Sequence, residues 1–192
     1  MSMIGCFRSA SDEEIEALIR KPDRIRQVLF NDFSGSQKKP GFLARLFGLA
    51  YEPDKELIIW TPENGNEEFD VDKAWHGIHF LLCDDPAGAA DILGFIMDGG
   101  HFIGRIDVGY GPARAFKQNE LEQIYMAIEN IQSSDLKKKC DKKWFNANNI
   151  YPFIWDEPED ECFGYLLDYF EKLKLFLKRT LDAGKGMLVY IT

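Results

Sequence analysis

The sequence predicts an α+β fold: one compact domain with a small mixed β-sheet covered by several helices, ending in a long helix and a terminal strand. Three observations carry this. The chain has 192 residues of which 45% are hydrophobic and 14% aromatic, enough for one sizeable core. Apolar residues recur at helical spacing in several segments, most extensively between Pro158 and Asp182. That stretch is followed by Met187–Ile191 (MLVYI), an uninterrupted apolar run with the length of an interior strand.

Each element follows from local chemistry. Met3–Phe7 reads as a strand, and Ser11 with Glu14 forms the capping box of a helix reaching Arg20. Pro22 ends it and sits near the first turn of a second helix carrying Ile25, Val28 and Leu29. Ser34–Gly41 has loop composition, Phe42–Tyr51 keeps helical spacing, Glu56–Thr61 suits a strand, and Pro62–Glu67 a turn. A helix over about Asp70–Cys83 presents Val71, Trp75, Ile78 and Leu82, with Asp70 as its N-cap. Gly88–Gly100 suits a short helix before the Gly99-Gly100 turn. Phe102–Val108 and Ala113–Phe116 are strand material that need not pair. Leu121, Ile124, Tyr125, Ile128 and Ile131 define another helix. Ser133 or Ser134 caps the next, with Leu136, Cys140 and Trp144. Phe163, Leu166, Phe170, Leu173, Leu177 and Leu181 stripe the long helix, which Gly184 and Gly186 stop.

The net charge of −9 argues against nucleic acid and anionic membranes and favours a basic protein partner. Lys137–Lys139 with Lys142 and Lys143 is the one basic concentration, read as a solvated helix face. Cys6, Cys83, Cys140 and Cys162 are scattered without C-x-x-C spacing, so a cytoplasmic chain with reduced thiols is expected. No apolar run reaches the ~20 residues of a membrane span, and no leader segment is expected.

The best place to look for chemistry is the edge made by Asp72, His76, His79 and Cys83, at spacings of 4, 3 and 4 on one helix. Two of the three histidines lie there. His79, His76 and Cys83 are the catalytic candidates. A metal would rest on His76, His79 and Asp72, but one helix supplies at most two comfortable ligands, so no metal or other cofactor is expected. The expected state is a hydrogen-bonded His79 at the core margin and an exposed His76. Gly109–Arg114 (GYGPAR) lacks the third glycine of a dinucleotide loop and reads as a turn presenting Tyr110 and Arg114, whose guanidinium could clamp an anion or make an internal ion pair. Asp156–Glu161 marks a helix start, and Trp155 and Trp75 read as core anchors.

With D-K-A-W-H-G-I-H-F-L-L (Asp72–Leu82), G-Y-G-P-A-R, Y-P-x-x-W (Tyr151–Trp155) and the ending G-K-G-M-L-V-Y in place, the chain resembles the YfbM-like family of bacterial domains of unknown function. The resemblance spans nearly the whole chain and is weaker at about 34–68, where an insertion is expected. It implies a single cytoplasmic α+β domain and no established catalytic residues. Asp72, Trp75, His79, Tyr110, Gly111, Pro112, Arg114, Tyr151, Pro152 and Trp155 match the family motifs, whereas His76 and Cys83 are particular to this chain. The sequence therefore favours a non-catalytic binding or interaction domain, antitoxin-like or immunity-like, with Asp72, Trp75, Tyr110, Arg114 and Trp155 as contact candidates. The alternative is a hydrolase or transferase with a pocket near Trp75–Cys83 and His79 as general base.

Overall fold

The computed structural model describes residues 2–32, 65–88 and 91–192. The loop, helix and strand expected between Ser34 and Thr61 lie outside the described residues. Among the described residues five strands, β1 (Gly5–Ala10), β2 (Glu68–Asp70), β3 (His101–Asp107), β4 (Pro112–Phe116) and β5 (Gly186–Ile191), form one sheet in the order β2-β1-β5-β4-β3. Every pairing is antiparallel, where a mixed sheet was expected. The reason is visible at Phe116, which ends β4 and pairs with Met187, near the start of β5. The helical excursion between them returns to the end it left, so β5 runs back along β4 instead of crossing over.

β5 holds the interior place its composition implies, because both faces of the sheet are covered. Met187 and Val189 enter the larger core, with Phe7, Trp75, Ile78 and Phe170, while Leu188 and Tyr190 enter a second core with Ile15, Leu18 and Ile25. Side chains that alternate between two buried faces must all be apolar.

The second core is built by α1 (Asp12–Arg20) and α2 (Ile25–Phe30), with a 3₁₀ turn at Pro22–Arg24 between them. The Ser11/Glu14 capping box is present. β1 begins later and ends later than expected, because Arg8 and Ser9 are buried polar residues within it. Arg8 donates to the carbonyls of Val28 and Leu29 at 2.6 and 2.8 Å, to Glu68 at 2.9 Å and to Tyr190 at 3.1 Å, and so closes the end of α2.

The larger core contains α3 (Trp75–Cys83), α4 (Gln118–Ile128), α5 (Ser133–Lys137), α6 (Lys142–Ala147) and α7 (Tyr165–Asp182). Asp70 ends β2 instead of capping the helix. Its carboxylate takes the Asp72 amide at 2.9 Å, and a 3₁₀ turn over Asp72–Ala74 leads into α3. The helix expected from Ser133 through Trp144 is two, since the Asp141 carboxylate accepts the Trp144 amide at 2.8 Å and starts α6 afresh. A π turn at Asp160–Gly164 precedes α7. β3 and β4 do pair, with an irregularity between Phe102 and Asp107. There Gly104, at φ 63°, passes so close to Pro22 that an added Cβ would lie 2.6 Å from it. Gly77 lets α3 approach α7 in the same way, as a Cβ would meet Leu166 at 2.8 Å. No helix among the described residues is long and apolar enough to cross a membrane.

Candidate functional site

The polar edge of α3 is closed by the structure around it. The Tyr165 hydroxyl donates to Asp72 at 3.0 Å and accepts the Lys73 amide at 3.0 Å. His76 is half-buried and holds two backbone partners: the Tyr151 amide donates to Nδ1 at 3.0 Å, and Nε2 meets the Pro86 carbonyl at 2.9 Å. Both ring nitrogens are therefore engaged, contrary to the expectation of an exposed side chain. His79 is wholly buried. Its Nδ1 is hydrogen-bonded to the Cys83 thiol at 3.7 Å, as a hydrogen-bonded histidine was expected, but it lies inside the core and not at its margin, and its Nε2 has no hydrogen-bond partner among the described residues. The cause of both differences is that the chain after Asp84 folds back over α3, bringing Pro86 to His76.

The electrostatics follow the burial. Desolvation lowers the pKa of both histidines; for His79 the neighbouring His76 adds to it, while the Asp85 backbone and carboxylate oppose. Burial, helped by Asp91 and Asp85, pushes the Cys83 thiol up to about 11, so it carries almost no thiolate near neutrality. His79 lines none of the clefts described below. Among the described residues, no three His, Cys, Asp or Glu side chains are arranged to hold a metal ion.

The remaining candidates are dispersed. Trp155 is fully buried, its Nε1 donating to the Ile150 carbonyl at 2.5 Å and its ring stacked on Phe163. Trp75 is buried with its Nε1 donating to the Met3 carbonyl at 3.2 Å. Tyr110 is 47% exposed at the tip of the β3–β4 turn, where Asp107 accepts the Gly109 and Gly111 amides. Arg114 points the other way, into the protein. Among the described residues its partners are backbone carbonyls in place of the internal ion pair expected of it. Its guanidinium donates to the carbonyls of Phe95 at 3.1 Å, Ile96 at 2.6 Å, Gly99 at 3.2 Å and Asp98, closing the 3₁₀ turn Ile92–Ile96 and the glycine turn after it. Burial lowers its pKa to about 10. The lysine cluster is divided between helices: Lys139 pairs with Asp84 at 3.1 Å and Lys138 with Asp135 at 2.7 Å.

The wall that Arg114 fixes borders an open cleft of about 420 Å³ that sequence reasoning missed. Its rim carries Asp91, Asp98 and Glu120, and its floor is Phe95, Phe116 and Ile124. Asp91 accepts the Leu93 amide at 2.7 Å, Asp98 the Gly99 amide at 2.7 Å, and Glu120 the Lys117 amide at 2.7 Å. Each carboxylate thus has one oxygen fixed by the backbone. His101 meets the other oxygen of Glu120 at 3.1 Å. Among the described residues no lysine or arginine lines the cleft. No pattern in the sequence joins Asp91, Asp98 and Glu120, which stand apart along the chain. A second cleft, of about 460 Å³, lies between Asp72, Lys73, Tyr151, Pro152, Ile154 and Tyr165.

The fold is similar to the crystal structure of YfbM, a protein of unknown function from Escherichia coli, at 22% identity and a TM-score of 0.65 over 98% of this chain and 99% of that one. No curated protein sequence matches the chain. A family model described as a domain of unknown function matches residues 1–190, and the chain belongs to that family, DUF1877.

Proposed function

We propose that this domain binds a basic segment of a partner protein in the cleft between the Ile92–Ile96 turn and α4. The observation that carries this reading is the lining itself: three backbone-anchored carboxylates around an apolar floor, with no lysine or arginine among the described residues that line it. An amphipathic cation fits such a site, its alkyl stem on Ile92, the exposed apolar residue of the lining, and its head among the acids. The net charge of −9 adds long-range attraction for the same partner. Support for His79 as a general base is lacking, because it is buried away from either large cleft and its neighbour Cys83 is held as a thiol.

Calorimetric titration with a lysine- and arginine-rich peptide tests the reading. Binding should weaken as salt is raised from 50 to ~300 mM, and Asp98→Asn combined with Glu120→Gln should weaken it about tenfold, or ~1.4 kcal/mol, at low salt. Equal affinity in the double variant, or no heat with any basic peptide, rejects it.

A further inference from the structure

We propose that His76 is a proton-sensitive latch that fastens the 84–87 loop and the 150–153 turn to α3, and that protonation releases the turn. The geometry allows one protonation state only. A backbone N–H donates to Nδ1 at 3.0 Å, which requires a bare lone pair there, and the Pro86 carbonyl at 2.9 Å requires the proton on Nε2. Neutral His76 in the Nε2–H form satisfies both segments. The imidazolium would set a second N–H against the Tyr151 amide while keeping its bond to Pro86. Protonation therefore breaks one end of the latch and strengthens the other.

The surroundings do not rescue the cation. On α3 itself, the Trp75 ring stacks on His76 at 5.0 Å, and His79 lies one turn on, buried and near enough to repel. From the loop come the Pro86 carbonyl and, beside it, Asp85, whose field acts on His79. From the turn comes Tyr151, its ring against Trp75 and its hydroxyl holding the Met3 amide. From α7, Tyr165 is tied to Asp72. Among the described residues no carboxylate stands within ion-pair distance of His76. Burial lowers its pKa below the ordinary 6.5, so in the folded protein the latch stays complete through 6.5 and opens only as pH falls through the lowered value. Tyr151, Pro152 and Ile154 wall the second cleft, so the turn that is released is the one that shapes it.

The test is nitrogen-15 NMR and amide exchange on the full chain between pH 7.5 and 5, with exchange corrected for its intrinsic pH dependence. At pH 7.5 the His76 ring should show a bare Nδ1 and a protonated Nε2. Protection of the Tyr151 amide should fall about tenfold as His76 titrates. His76→Asn places an amide oxygen near the Nδ1 position and cannot titrate, so Tyr151 protection should become independent of pH. His76→Gln places a donor near Nε2, and protection should be low throughout. A protonated Nδ1 at pH 7.5, Tyr151 protection unchanged through the titration, or the same pH-dependent loss in His76→Asn overturns the proposal.

Discussion

The edge of α3 and the cleft beside α4 make opposite use of the same side-chain types. Along α3 and the 3₁₀ turn before it follow two histidines, a thiol and an acid, yet the imidazole of His76 and the carboxylate of Asp72 are bonded internally and His79 is sealed. Around the cleft, three acids each give one oxygen to the backbone; the second oxygen of Glu120 goes to His101, while among the described residues no side chain takes that of Asp91 or Asp98. What distinguishes the proposed binding surface from the closed edge is unengaged polar capacity on Asp91 and Asp98 next to the exposed side chain of Ile92. Reactive residue types in a row are not sufficient.

The strongest perturbation of this contrast is Arg114→Met. It leaves the carbonyls of Phe95, Ile96, Asp98 and Gly99 without their buried donor and should cost about 3 kcal/mol or more in urea unfolding, with loss of the peptide site. A loss under ~1 kcal/mol would mean that water replaces the guanidinium easily. Next comes pH. Because burial lowers both His76 and His79, the unfolded chain takes up protons more readily, and stability should be full above about 6.5 and fall as pH drops below it. A denaturation midpoint that stays flat from pH 7.5 to 5 contradicts the closed edge. His79→Leu removes an imidazole whose Nε2 has no partner, so stability at pH 7.5 should change by less than ~1 kcal/mol and the acid sensitivity should shrink. The smallest effect belongs to Cys83: with its thiol held near 11, alkylation at pH 7.5 should be slow, and Cys83→Ala should leave peptide binding unchanged.

Periodic apolar segments were readable because burial of one face demands them: α1 with its capping box, α7, and the interior place of β5 all follow from pattern. Arg8 and Arg114 were not readable as internal caps, since a sequence does not show which loop carbonyls will converge on a guanidinium. The split at Asp141 depended on a side chain competing with the helix it interrupts. The cleft was invisible for a related reason: Asp91, Asp98 and Glu120 are separated in the chain and meet only because β3, β4 and α4 bring the glycine turn against the helix. His76 shows the converse, a residue that spacing singled out but whose partners, Tyr151 and Pro86, lie on segments that only the fold brings near.

The most direct test is chemical-shift mapping of the nitrogen-15-labelled chain as an unlabelled lysine- and arginine-rich peptide is added at low salt. Shifts concentrated at Asp91–Gly100 and Glu120–Ile124, with His76, His79 and Cys83 unmoved, are the predicted result. Shifts centred on the α3 edge or the Asp72–Tyr165 cleft, or none at saturating peptide, would contradict the account.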